Sequence, residues 1–303
     1  MSDVAAGQCP RGDAVFLDHN GHFVPDMAAA ATALQRLGFT LTPYALHTAT
    51  TDPDRPSQPS GTANRCIMLG EGYLEILCAV GDTPLAQQLK AACARYTGLH
   101  LLAFSAADAT VRQRRLTTAG FAMQPVVHLT RAVDDGVLEF SVVRPQPGQM
   151  PEGRVQFLSH GTPELLWRPA LTAHPNRAAA LCDVVLASAD ADEAAARFGR
   201  FLGADPAPRD GGWHIALARG GLTILSAGAL KAALPGIAIP DLPFLAATAL
   251  RSDDLAATRA HLAANGIACT AAGPGALRTA MLPELGSTFV FTEGDAPPPW
   301  LRA

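Results

Sequence analysis

The sequence predicts an α+β protein assembled from four copies of one βαβββ unit, paired into two halves. Two observations carry that expectation. An aspartate placed to open a helix recurs at a fixed distance before a glycine placed to close it: Asp26 with Gly38, Asp108 with Gly120 and Asp254 with Gly266, with Asp190 and Gly203 as a looser fourth copy. An apolar, strand-forming run precedes every copy. Aspartate accepts hydrogen bonds from the free N–H groups of a first helical turn. Glycine takes the left-handed backbone that ends a helix at no steric cost. Such a unit cannot bury both faces of its own sheet, so four copies should pair two by two.

Each element follows from its residues. Residues 1–13 read as a disordered tail. Residues 14–24 form a strand, and the Ala/Leu/Gln/Arg run after Asp26 has strong helix propensity. Residues 40–44 suit a second strand, whereas 45–61, rich in Pro, Ser, Thr and Asp, read as a polar loop. Residues 64–69 and 73–80 pair around the Gly70-Glu71-Gly72 turn. The second unit has a strand at 98–106, a helix from Asp108, and strands at 122–130, 137–144 and 154–160, with a turn insertion between the last two. The third and fourth units repeat this in shorter form from residues 181 and 245. The halves fall at 14–170 and 180–293, joined by a hinge at 168–179, and 294–303 is a tail expected to strap the surface.

Composition narrows the function. With 49% hydrophobic residues the chain can build real cores. A net charge of -4 announces no nucleic-acid surface, and Arg112, Arg114 and Arg115 read as the wet face of a helix. The six cysteines form no C-x-x-C pair and most sit in apolar runs, as reduced cysteines do. No signal-peptide core and no membrane-spanning run are present in the sequence, so a cytoplasmic protein with no membrane partner is expected. Nucleophile-elbow serine, phosphate-binding loop, dinucleotide glycine and zinc-protease motifs are missing as well.

The residues Leu17-Asp18-His19 ahead of Asp26, Leu37-Gly38-Phe39, Gly61-Thr62-Ala63-Asn64-Arg65 and Tyr73-Leu74-Glu75 resemble the vicinal-oxygen-chelate (VOC) superfamily. Thr162-Pro163-Glu164-Leu165-Leu166-Trp167-Arg168-Pro169 and His174-Pro175-Asn176 are similar to its glyoxalase-like subgroup. The resemblance runs from about residue 14 to 293. It implies two half-open eight-stranded barrels, each wrapping a cavity, and a divalent metal (Fe, Mn, Zn or Ni) held by ligands from first and last strands. It further implies a small-molecule enzyme, of isomerase, lyase or dioxygenase type, in which the metal polarises a carbonyl or enol oxygen. The same fold also serves metal-free proteins that sequester small molecules or antibiotics. Pairing of units within one chain points to a monomer or homodimer.

The residues can be weighed against that pattern. His19 matches the first-strand ligand, and strand alternation sets it on the face of Leu17, Gly21 and Phe23, where Gly21 leaves room for a ligand. The plainer reading is a hydrogen-bonded core histidine. Glu75 lies in an apolar strand, where a buried carboxylate must be paired, metal-bound or neutral; it is both ligand and general-base candidate. His160 completes the metal set, with Glu164 as an alternative ligand and second candidate base. The spacing of His19 to Asp26, counted back from Asp108, reaches Leu101 rather than a ligand, and His100 is out of register. Asn64 and Arg65 suit an acidic substrate or else clamp the neighbouring loop, His47 closes over the cavity, and Trp167 forms an apolar wall or plugs the hinge. Asp183 and Ala247 stand at the ligand position in the C-terminal half, which reads as metal-free.

Overall fold

A computed structural model of the chain describes residues 5, 7–50, 54–133 and 135–302. Its four principal helices begin at the four predicted aspartates. Asp26 caps α1 (Met27–Arg36), Asp108 caps α3 (Ala109–Thr118), Asp190 caps α5 (Ala191–Leu202) and Asp254 caps α7 (Leu255–Ala264), each accepting a backbone N–H of its own first turn. Gly38, Gly120, Gly203 and Gly266 all have positive φ, the geometry that requires glycine there. Three further helices are α2 (Pro84–Arg95), α4 (Pro163–Leu166) and α6 (Ala227–Ala233).

In the N-terminal half, β1 (Phe16–Phe23), β4 (Tyr73–Ala79), β3 (Gln58–Met68), β2 (Ala45–Thr50), β6 (Val127–Val133), β7 (Gly136–Val143), β8 (Arg154–His160) and β5 (Gly98–Ser105) follow one another around a ring. Pairing of β1 with β5 on one side and of β2 with β6 on the other closes it into an eight-stranded barrel. A half-open cup was expected. The seam that closes it, Thr48–Thr130, Ala49–Leu129 and Thr50–His128, is built by residues that read as a polar loop. Threonine suits a strand, and ladders to both β3 and β6 satisfy the backbone whichever way the side chains face. Residues 40–44, expected to be that strand, run outside it, with Thr42 N–H donating to Cys66 O. Residues 51–53 of the presumed loop lie outside the described residues.

The C-terminal half uses β10 (Ala207–Arg209), β11 (Gly212–Ala216), β12 (Gly221–Ser226), β9 (Ala178–Ser188), β13 (Phe244–Ser252), β16 (Thr288–Glu293), β15 (Ala276–Thr279) and β14 (Cys269–Ala271) in that order, and it stays open. Its concave face is filled. Val185, Leu225, Ala247 and Val290 pack there with Leu230 of α6 and with Trp300, whose indole N–H donates to Asp183 Oδ1 at 2.7 Å. The expected surface strap is thus a buried plug. Asp183 also accepts from Thr223 and pairs with His214, so a carboxylate at the ligand position is spent on structure.

The halves share one sheet and one core. Leu245 bridges to Leu99, and the outer face of β1 sends Asn20 to Thr248 (2.6 Å) and His22 to Ser287 (2.6 Å). The largest apolar cluster runs from Leu17 and Phe104 through Phe198 and Phe201 to Phe289 and Phe291. Of the expected N-terminal tail, residues 1–4 and 6 lie outside the described residues, while Gln8 is buried and donates to Gly70 O. No helix among the described residues is long and apolar enough to cross a membrane.

Burial pushes His22 down to about 3 and His100 down to about 4, both from an ordinary value of 6.5. Both groups are therefore neutral in the fold at pH 6. Below pH 6.5 the unfolded chain binds protons that the native state refuses, so stability is full above that value and falls as pH drops, until about pH 4 for His100. Each such proton costs about 1.4 kcal/mol per pH unit. Urea unfolding measured from pH 7 to 4.5 should show that loss, and His22→Gln should make the slope shallower by about 1.4 kcal/mol per pH unit.

Candidate active site

The site begins with a bulge. Along the β1–β5 ladder Leu17 pairs with Phe104 and His19 with Ala103, so Asp18 is an extra residue. Strict alternation would set His19 beside Leu17. Instead Leu17 joins the core outside the barrel while Asp18 and His19 both turn inward. Asp18 Oδ1 lies 2.7 Å from His19 Nδ1, and Oδ2 lies 2.8 Å from His160 Nε2. An ionised carboxylate only accepts, so both nitrogens carry hydrogens. Burial would raise the Asp18 carboxyl, but His160 first and His19 second overcome it and hold it well below the usual carboxylate range.

With Nδ1 committed, His19 presents Nε2 to the cavity, 3.7 Å from Glu75 Oε2. Glu75, which is 7% exposed, accepts from Asn64 Nδ2 at 2.6 Å, and Asn64 Oδ1 accepts from Arg131 Nη1 at 3.1 Å. A connected polar chain thus crosses the barrel from Arg131 to His160. Tyr73 stacks on the His19 ring at 4.2 Å and 21°. Its hydroxyl is pushed well above the ordinary value by burial, with Asp18 and Glu75 nearby, so it remains a donor.

These groups face a cavity of about 870 Å³, its mouth included. Leu77, Leu101, Leu129, Phe140, Val142 and Leu158 supply an apolar wall, and Arg131, Arg144, Arg154 and Gln156 add polar groups to it. His47 is on the wall, bonded to Thr62 Oγ1 at 3.1 Å, and burial holds it below its ordinary value. The space beside Gly21 is not free for a ligand. A side chain there would meet Leu101 and Leu77 at 3.0 Å.

The structure brings together His19, Glu75, Asn64 and His47. It separates the others. Arg65 donates from Nε to Thr42 O outside the barrel, because its strand neighbours Asn64 and Cys66 take the inward positions. Glu164 is exposed on α4, away from the cavity. Trp167, 1% exposed, packs edge-on against Tyr73 and His160, closing the barrel floor without touching the cavity. His160 stands behind Asp18, its Nε2 spent and its Nδ1 buried without a partner. The trio His19, Glu75 and His160 therefore does not fit a metal. Only two of its donors face one another, and among the described residues no three His, Cys, Asp or Glu side chains converge as a metal cage would need.

The sequence marks none of Asp18, Tyr73, Arg131, Arg144, Arg154 and Gln156 as a site residue, although Asp18 and Tyr73 lie in the motifs that carry the resemblance. Gln156 has a definite place. Glu75 pairs with Gly21 and Gln156 with Ala103, positions equally far ahead of Asp26 and Asp108. The second unit thus sets Leu101 and Gln156 where the first sets His19 and Glu75.

Paired βαβββ units wrapped into a barrel around an inward histidine and glutamate define a VOC-type protein. The sequence matches the model of the glyoxalase-like domain over residues 17–202, more than half its length, and the chain belongs to that family. A hypothetical protein from Staphylococcus aureus is similar in structure, with TM-score 0.66 and 10% identity, over 92% of this chain and 100% of the other. A mutant 4-hydroxymandelate synthase from Streptomyces coelicolor aligns with TM-score 0.56 and 15% identity, over 93% of both chains. A catechol 2,3-dioxygenase aligns with TM-score 0.54 and 11% identity, over 96% and 97%. At these identities the likeness is one of fold. No curated protein sequence matches the chain.

Because Asp18 is shared by two imidazoles, its loss and that of His160 should not add. Asp18→Asn and His160→Gln should each lower the unfolding free energy by about 3 kcal/mol. The double variant should cost at least about 1 kcal/mol less than their sum, read by urea titration.

Proposed function

We propose that the N-terminal barrel is the active site of an enzyme that binds a small carbonyl compound and transfers a proton on it. The observation supporting this is the carboxylate-backed imidazole of His19, facing Glu75 at 3.7 Å inside a mostly apolar cavity. Glu75 takes a proton from the carbon beside the carbonyl. The C–H electron pair moves into the new C=C bond, and the carbonyl oxygen takes up the negative charge. His19, in its protonated form, donates from Nε2 to that oxygen, with Asp18 offsetting the imidazolium charge. Tyr73 lines the same space, and its hydroxyl is available as a second donor. Returning the proton to a neighbouring atom completes an isomerisation, and expelling a group from the enolate makes a lyase. The mechanism needs no resident metal, because among the described residues the donor set does not converge.

Hydrogen–deuterium exchange tests it. The protein, treated with chelator and incubated in D2O with a panel of aldehydes, ketones and 2-oxo acids, should exchange the hydrogen beside the carbonyl of at least one of them, seen by NMR. Glu75→Gln and His19→Ala should each slow that exchange at least about 100-fold. Stoichiometric divalent metal that survives purification and is lost in His19→Ala would overturn the metal-free mechanism. Tight binding of a compound with no exchange would make the barrel a sequestering site.

A further inference from the structure

Arg144 and Arg154 stand on the cavity wall with no carboxylate in ion-pair contact among the described residues; the acidic group that acts on both is Glu75, from elsewhere on the same lining. Arg144 follows the end of β7 and Arg154 opens β8. Arg144 donates from Nε to Gln156 Oε1 at 2.7 Å, and among the described residues it makes no ion pair. Arg154 makes neither hydrogen bond nor ion pair among them; its Nη2 is buried without a partner and its Cζ lies 5.0 Å from the Phe23 ring centroid. Two half-buried guanidiniums side by side, with no ion-pair partner and only the field of Glu75 to offset them, are costly. Burial pushes Arg144 down to about 10 and Arg154 to about 9, with Arg144 adding its repulsion to the second.

Elsewhere buried arginines are anchored within the protein, although among the described residues one nitrogen of Arg112 and two of Arg219 also lack a partner. Arg197 is held by both oxygens of Glu152, at 2.7 and 2.8 Å, and by Glu193. Arg112 donates to Phe201 O at 2.7 Å and lies over Phe157. At the cavity pair, the residue in contact is Gln156, the counterpart in the second unit of Glu75. A glutamate there would neutralise Arg144 within the protein, whereas the amide orients it and leaves the charge in place.

We propose that Arg144, Arg154 and Gln156 form a carboxylate seat, so that the cavity takes a small molecule with an apolar body and a carboxylate end. This rests on the reading of the barrel as a ligand site and names its substrate class. Planar forks suit a carboxylate. The register also places the seat usefully: Arg154 pairs with Leu101, Leu101 with Gly21, and Gly21 with Glu75, so the seat and the proposed base occupy one level of the wall. A ligand anchored at Arg154 reaches across the cavity toward Glu75 and His19.

Benzoate and its neutral isostere benzamide separate charge from shape. By calorimetric titration the wild type should bind benzoate at least 10-fold more tightly than benzamide. Arg154→Met should erase that preference, bringing the benzoate affinity to within about twofold of the benzamide affinity. Gln156→Glu should do the same while raising the melting temperature, since it supplies the missing counter-charge inside the fold. Equal affinity for both probes in the wild type, binding of neither, or a preference that survives Arg154→Met would overturn the seat. A preference lost only in Arg131→Met would overturn it too, by moving the anion elsewhere. The outcome is separable from the proton-transfer reading. Charge preference without hydrogen exchange removes the catalysis and keeps the seat, and exchange without charge preference does the reverse.

Discussion

The site depends on one carboxylate placed where regular strand geometry would not put it. Asp18 reaches the barrel interior through a bulge in β1, and its charge is carried by hydrogen bonds to two imidazoles from opposite ends of the N-terminal half. That sharing fixes which nitrogen of His19 faces the cavity. It also accounts for His160, whose ring is held between Asp18, Phe140 and Trp167 as part of the floor. Without the bulge, Asp18 would point into an apolar core and His19 would lose its orienting partner. The remaining polar groups, Glu75, Asn64 and Arg131, are then arranged from the facing wall.

The two halves apply one scaffold to opposite ends. In both, a first strand brings a polar residue to the concave side of the sheet, His19 in one and Asp183 in the other. The N-terminal half keeps its interior hollow and surrounds it with leucine, phenylalanine and arginine. The C-terminal half packs its concave face with α6 and Trp300 and ties Asp183 to three donors. Filling one cup makes a rigid abutment for the other, since β1, the strand that carries Asp18 and His19, leans its outer face on β13 and β16 through Asn20 and His22.

Sequence alone made the repeat legible because its signals are local. An aspartate cap and a glycine exit need only their own helix, and all four helices start where the aspartates stand. Strand β2 was hidden because one of its two partners, β6, is remote in sequence, and a Thr/Ala/His segment looks like loop until two ladders flank it. At the site, Glu75 stood out as a carboxylate in an apolar run. Asp18 did not, since a bulge leaves no trace in alternation. Arg154 could have been read: it shares parity with Gln156 and Leu158 along an apolar strand, and that inward position is the signal that a charged residue there is no surface group. Glu164 and Trp167 sat in a recognisable run, yet adjacency along the chain did not carry them into the cavity.

Closure of the N-terminal ring reaches beyond the site. A closed ring has no unpaired strand to offer, so the N-terminal half has no edge on which to lengthen its sheet onto another molecule. Among the described residues the free ladder edges are β10 and β14, both in the other half and each only three residues long. One of them carries Pro208, which lacks the N–H that a neighbouring strand would require. The architecture thereby gives strand addition between copies little purchase among the described residues.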